Sequence, residues 1–421
     1  MNYKSTEIKP GIKLHTINTE KFKTNLATVF LTTKLERETI TKNSVISSVL
    51  RRGSKNMPTQ EEISKTMEEM YGAGFDCGLE KTGDNQILKF YIETINDNYL
   101  PQQGENMLKT ALEKLLEIVF NPYTENNAFK KEYVEQEKNN TKQRIEGKVD
   151  NKARYALNRC IEEMYKNKPY GLYKFGYVED LAEINEKNLY EAYKNLIDNC
   201  KIDILVSGKI DENLEEIVKQ NENIINLKER EPQYVEQKSE VVNIEQENVV
   251  TESMDVSQGK LVIGLNVNIE EEQKYVTLVY NAILGGTAAS KMFQNVREKA
   301  RLAYVASSSY FRHKNNIFVN CGIEIENYEK ALKLIKEQIQ AMEDGDFSKE
   351  DIENAKKNLI STIRTIEEEQ DAGISYCFGQ EFLDKKLTVE EYIKKVEKVS
   401  KEEIVEVAQK VVINTIYFLK D

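Results

Sequence analysis

Two side chains in the stretch VREKARLAY, Arg297 and Tyr304, have the chemistry to grip a reacting carbonyl. A guanidinium is always charged and offers a fork of donors, and a phenol adds one more. Held rigidly, they suit a peptide carbonyl or the oxyanion formed when a hydroxide attacks it. One fixed donor of this kind contributes about 3–4 kcal/mol to the transition state. A competing reading is open. Arg297 has Glu298 beside it, so the pair could be a surface ion pair with Tyr304 packed in the core. Elsewhere the chemistry is thin. The chain has two histidines, His15 and His313, far apart in sequence. A serine nucleophile needs a base within hydrogen-bond reach, and no GxSxG accompanies the serines. Gly285-Gly286 comes without GxGxxG or GK[ST], so it reads as a helix-ending turn and not as a phosphate loop. His313, between Arg312 and Lys314, reads as a solvated hairpin tip. His15, in IKLHTI, reads as an outward or half-buried strand residue.

The elements that must position the pair follow from apolar spacing. A helix is predicted from Tyr275 to Leu284 and a second from Ala289 to Lys299, with Met292, Phe293 and Val296 on one face. The stretch from Leu302 to Tyr310 has strand composition. Arg297 then sits in the last turn of a helix and Tyr304 just inside a strand. A helix-to-strand corner can bring both into one cleft.

The residues from Tyr280 to Phe311 resemble the second domain of the M16 (insulinase, mitochondrial-processing-peptidase-like) family. Leu284-Gly285-Gly286, Ser290-Lys291-Met292-Phe293, Val296-Arg297-Glu298-Lys299 and Leu302-Ala303-Tyr304 carry the resemblance. It implies that Arg297 and Tyr304 reach towards substrate at a zinc site held by a partner. An M16 catalytic domain also carries HxxEH on an early helix. Two His at i and i+4 bind zinc there, and the Glu serves as general base. Matching Gly53-Ser54 to the family's Gly-Thr puts Ser44, Ser47 and Ser48 at the His, Glu and His positions. Hydroxyls are poor zinc ligands, and Ser47 cannot act as the base. With two distant histidines, the motif is absent in any register. The segment from Val134 to Lys138 (VEQEK) resembles the family segment that precedes the last ligand. Two helical turns past its second Glu stands Arg144, a cation. Glu137 remains and reads as a helix-surface carboxylate.

The resemblance therefore implies the non-metal-binding subunit of a bacterial M16 heterodimer. Such a chain holds no metal of its own, pairs with an HxxEH subunit that carries the zinc, and helps enclose an extended peptide substrate. In isolation it could form a homodimer. The alternative is a pseudo-peptidase, acting as scaffold or peptide-binding protein with no catalytic role.

Composition bounds the rest. A chain of 421 residues exceeds one ordinary core. Its 40% hydrophobic and 31% charged residues suit a globular protein. A net charge of −12 without a basic block argues against nucleic acid and anionic membranes. No apolar run reaches the ~18 residues of a membrane span. The first residues show no apolar leader, so a cytoplasmic location is expected. Five scattered cysteines (Cys77, Cys160, Cys200, Cys321, Cys377) form no CxxC and read as reduced core thiols.

Strand–strand–helix–helix–strand–strand–helices can be read twice along the chain. The expected organisation is a domain over 1–226 lacking the zinc motif, a polar linker over 227–248, and a domain over 249–421 carrying the Arg/Tyr pair. The fold class is α+β with two homologous domains. Each is expected to be an antiparallel-rich sheet covered by helices on one face, the whole forming half of a clamshell.

Overall fold

A computed structural model describes residues 2–100, 106–211, 213–236, 241–383 and 386–421. Part of the expected linker, 237–240, lies outside them. The first half of the chain opens with β1 (Asn2–Lys9), β2 (Ile12–Asn18), β3 (Thr24–Lys34), α1 (Ile40–Leu50), α2 (Gln60–Glu69), β4 (Gly74–Thr82) and β5 (Asn85–Ile95). It continues with α3 (Met107–Phe120), the short pair β6 (Thr124–Glu125) and β7 (Ala128–Phe129), α4 (Lys131–Glu146) and α5 (Lys152–Met164). Then come α6 (Glu186–Asn199), β8 (Lys201–Gly208), α7 (Leu214–Gln220) and α8 (Glu222–Ile225). The second half has β9 (Asn248–Ser253), β10 (Gly259–Val267), α9 (Lys274–Asn281), β11 (Ala303–Phe311) and β12 (Asn316–Ile323). It closes with α10 (Tyr328–Glu343), α11 (Lys349–Thr365), α12 (Gln370–Gln380), α13 (Val389–Lys398), α14 (Lys401–Ala408) and β13 (Val411–Lys420).

These elements form two compact units. The first comprises Met1–Gly147, Leu172–Glu236 and Ile366–Lys386; the second comprises Lys148–Gly171, Gln237–Thr365 and Leu387–Asp421. The first sheet runs β1-β2-β8-β3-β5-β4, and the second runs β11-β12-β10-β13-β9. Reversed and stripped of β1, the first order matches the second strand for strand. In each, one parallel pair (β2/β8, β9/β13) accompanies antiparallel neighbours. The repeated plan is thus present in the hydrogen bonding. Local signals hold where the pattern was strong. Thr59 caps α2, accepting from the Glu62 amide while the Glu62 carboxylate accepts from the Thr59 amide.

Helices cover more than one face of each sheet. In the first unit, Ala27, Val29 and Leu31 of β3 pack with Val45, Ile46 and Val49 of α1 and with the apolar face of α3. The intervening Leu26 and Phe30 point to the other face. There they meet Ile374, Cys377 and Phe378 of α12, and the Phe30 and Phe378 rings stack with centroids 3.9 Å apart. In the second unit, Tyr155, Ala156, Cys160 and Ile161 of α5 cover Val262, Phe318 and Tyr417. A Cβ at Gly264 would come within 2.9 Å of the Met164 sulfur and 3.2 Å of the Phe318 ring, so glycine lets α5 lie close against β10. The expectation of helices on one face describes the main helical layer. The opposite face of each sheet carries one further helix drawn from the other half of the chain.

α12 also closes a buried polar network on β2 and β8. His15 is fully buried, not outward or half-buried as its strand pattern suggested. Its Nε2 lies 2.9 Å from Asp203 Oδ1, and its Nδ1 lies 2.8 Å from the Tyr3 hydroxyl. Tyr3 donates to Glu381 (2.7 Å), and Lys201 donates to Asp203 (2.7 and 3.0 Å). Lys386 pairs with Glu381. Burial pushes the Asp203 carboxyl up, but Lys201 and His15 outweigh that and hold it below its ordinary value. A carboxyl depressed in the fold adds stability above its unfolded pKa, near 4, and loses it as pH falls further.

Replacing Asp203 with Asn leaves Lys201 buried without its counter-charge. A loss of about 3 kcal/mol is expected, read as a lower urea midpoint at unchanged slope. The variant should also show a shallower fall in stability than the parent between about pH 5 and pH 3.

Candidate functional site

The first candidate lies at the corner between α9 and β11. The helix includes the glycine pair and ends with it, in a wide π-type turn over Ala282–Gly286 after which Thr287 is extended; Met292–Lys299 is wound the same way. Such turns recur at functional sites. A Cβ on Gly285 would lie 2.6 Å from both the backbone nitrogen and the hydroxyl of Ser308. That hydroxyl donates to Asn281 Oδ1 at 2.7 Å. Gly285 therefore serves close approach of the helix to β11, a role beyond ending the helix. Arg301, at φ +53°, turns the chain from the helical segment into the strand.

β11 is an edge strand, paired only with β12. Its register slips between Ala303, opposite Ile323, and Val305, opposite Gly322. Tyr304 is the extra residue of a β-bulge. Bulges break alternation and re-aim side chains. Here they leave two consecutive residues outside: Tyr304 is 65% exposed and Val305 54%. Tyr304 is thus not packed in the core. The other half of the competing reading is partly present, since Arg297 Nε lies 3.6 Å from Glu298 Oε1. Its guanidinium also stands over the Phe293 ring, 4.5 Å from the centroid. No hydrogen bond joins Arg297 to Tyr304 among the described residues.

The second candidate is a pocket of about 480 Å³ in the first unit, lined by Ser47, Ser48, Arg51, Arg52, Gln60, Cys77, Gly78, Leu79, Glu137, Asn140, Arg144 and Phe175. Three of the four positions matched to zinc ligands and base, Ser47, Ser48 and Arg144, meet here. Ser44 is fully buried and does not line the pocket; among the described residues its hydroxyl has no hydrogen-bond partner. Glu137 is not a surface carboxylate. It is buried, bound by Arg52, and accepts from Asn140 at 3.2 Å. The arginines Arg51 and Arg52, just past α1, went unremarked in the sequence. Their adjacency to the serine-bearing helix was the available signal.

This lining does not fit a catalytic zinc ion. It offers hydroxyls, two amides, a protonated thiol and one carboxylate already held by Arg52, with the Arg144 guanidinium at the position matched to the last ligand. Nor does it hold a nucleophile. Burial pushes the Cys77 thiol up to about 11, and its sulfur donates to the Ser47 carbonyl at 3.4 Å, so no thiolate forms at neutral pH. His313 does sit in the turn between β11 and β12, but half-buried. Burial, Lys274 and Arg312 hold its pKa down to about 4. His15, Asp203 and Glu381 converge within 4.8 Å in the manner of metal ligands, yet Lys201 and Lys386 already neutralise both carboxylates. Among the described residues, no helix is long and apolar enough to cross a membrane.

Comparison with known proteins agrees with this geometry. A family model described as "Peptidase M16 inactive domain" matches residues 183–359. The chain is 36% identical over 417 residues to "Probable inactive metalloprotease YmfF" of Bacillus subtilis, covering 97% of this chain and 96% of that one. It is 22% identical over 309 residues to "Uncharacterized zinc protease YmxG" of the same organism, 70% of each chain. Among solved structures, a conserved protein from Enterococcus faecalis superposes with a TM-score of 0.92 at 30% identity, covering 100% of this chain and 99% of that one. A peptidase M16 inactive domain from Pseudomonas fluorescens superposes at 0.80 and 16% identity, covering 100% and 98%.

Two outcomes are expected from this geometry. Gly285→Ala should destabilise by about 1–3 kcal/mol in thermal unfolding. Gly286→Ala should cost less, because its Cβ would meet the side-chain amide and backbone carbonyl oxygen of Asn281 at 3.1 Å, farther than the 2.6 Å at Gly285. Equal costs would mean that close approach to β11 is not what demands glycine. Zinc analysis after dialysis should find less than one ion per chain; a stoichiometric ion lost in Ser47→Ala/Ser48→Ala would contradict the donor argument.

Proposed function

This chain belongs to the M16 peptidase family, as an inactive metalloprotease homologue, and we propose that it is the catalytically incomplete subunit of an M16-type zinc metallopeptidase. On this reading it works in the cytoplasm beside an HxxEH subunit, which holds the zinc, and the pair cleaves extended peptides. The metal, when bound in that partner, supplies the attacking hydroxide. Arg297 and Tyr304 donate hydrogen bonds to the substrate carbonyl and to the oxyanion that forms from it. Ser44, Ser47, Ser48 and Arg144 mark the positions of a lost metal site. The repeated strand order supports reading 1–226 and 249–421 as homologous domains joined by 227–248.

One observation carries the proposal. The β-bulge sends the Tyr304 phenol out of an edge strand, unpaired, directly after the helical segment that bears Arg297. A packing role would not need a bulge. One observation favours the alternative, a scaffold or peptide-binding pseudo-peptidase: Arg297 is already engaged by Phe293 and Glu298.

The test is reconstitution. The isolated chain should cleave nothing, and mixing with an HxxEH-bearing M16 chain from the same cell should restore peptide cleavage. In the mixture, Arg297→Ala and Tyr304→Phe should each lower kcat/KM about 100-fold, with complex formation intact by gel filtration. Full activity with both residues removed would assign the chain to the scaffold reading.

A further inference from the structure

The pocket beside α1 and β4 has not merely lost its metal ligands; it has changed sign. Three guanidiniums (Arg51, Arg52, Arg144) line it against one carboxylate, Glu137. The protein as a whole carries −12, so this is a local excess against the prevailing charge. The three arginines are not equally committed. Arg52 is held by Glu137 and donates to Gln60 at 3.0 Å. Arg51 lies 3.3 Å from Asp76. Arg144 has no carboxylate within ion-pair distance among the described residues. Its guanidinium stands over the Phe175 ring, 5.2 Å from the centroid. A cation steadied on an aromatic face at a pocket wall, without a counter-ion, is placed to receive an anion. Its planar fork matches a carboxylate in two parallel hydrogen bonds. Ser47 and Ser48 add hydroxyls to the same lining, while the Asn140 amide is already given to Glu137.

The wall opposite α4 says what brings the anion. β4 is the edge of the first sheet, paired only with β5. Gly78, in its middle, lines the pocket, and a Cβ there would meet nothing within 4 Å. A strand-interior glycine with open space above it marks a place where another backbone or a ligand can come close. An unpaired edge accepts an extended chain through main-chain hydrogen bonds. We propose that this pocket binds the carboxylate of an extended peptide running along β4, with Arg144 as its principal donor. The inference rests on the peptide-binding part of the reading above and adds a selectivity to it. The carboxylate has two sources, the C-terminus of the peptide or an internal Asp or Glu.

Fluorescence anisotropy on the full-length chain, without partner, separates these. Four short labelled peptides are compared: free against amidated C-terminus, and internal Glu against Gln. One carboxylate form should bind at least tenfold more tightly than its neutral counterpart, and the pair that shows the difference names the source. Arg144→Gln should abolish that difference while leaving binding of the neutral peptide unchanged. Gly78→Leu, which the open space above Gly78 tolerates, should weaken both forms without lowering the melting temperature. Equal binding of charged and neutral peptides, no binding of any, or a preference that survives Arg144→Gln would overturn the proposal. Since the role of Arg297 and Tyr304 is read from cleavage by the reconstituted pair, the two proposals fail separately.

Discussion

The central strands of each sheet are buried on both faces, and much of the architecture answers that constraint. β8 is buried along its whole length, and β3 and β10 nearly so. A strand buried on both sides must be covered twice, because apolar side chains alternate between faces. The main helical layer covers one face. For the other, each unit takes a helix from the opposite half of the chain: α12 over Leu26, Phe30 and Leu205, and α5 over Val262, Phe318 and Tyr417. The exchange makes units that are compact in space but discontinuous in sequence.

Covering a face buries whatever it carries, including charge. β2 and β8 bring His15, Lys201 and Asp203 beneath α12, where an unpaired ion would cost several kcal/mol. The solution is a network in which Tyr3, Lys13, Lys201 and Lys386 join His15 as partners of the two carboxylates. His15 and the two acids look like a metal triad only if the lysines are ignored. The same test, applied to the pocket beside α1, also excludes zinc, and there the surplus of cations points to an anion.

The two candidate sites occupy the same corner of the repeated plan. α1, α2 and β4 in one unit correspond to α9, the segment Met292–Lys299 and β11 in the other. In both, a helix is followed by a second helical segment and then by the edge strand. The duplicated scaffold has been specialised by local changes. In one unit two serines and three arginines line a pocket beside the edge strand. In the other a bulge turns a tyrosine outward, and Gly285 lets the helix close onto the strand behind it.

Much of this was legible before any coordinates. Two histidines as far apart as His15 and His313 cannot make HxxEH whatever the fold, because that exclusion is one of sequence spacing. Strongly periodic stretches located most strands and long helices, and Thr59 announced its cap. α12 escaped because QDAGISYCFGQ is interrupted by glycines and places Gly373 and Gln380 on the buried side with Ile374, Cys377 and Phe378, which blurs the polar–apolar period. β1 escaped because it is a polar edge. The burial of His15, the register slip at Tyr304 and the commitment of Glu137 to Arg52 could not be read from the chain. Each depends on segments remote in sequence meeting in space. Residue types determined what chemistry was possible and impossible; tertiary packing alone decided which neighbours each group would have, and hence which charges stay paired and which stand open to a ligand.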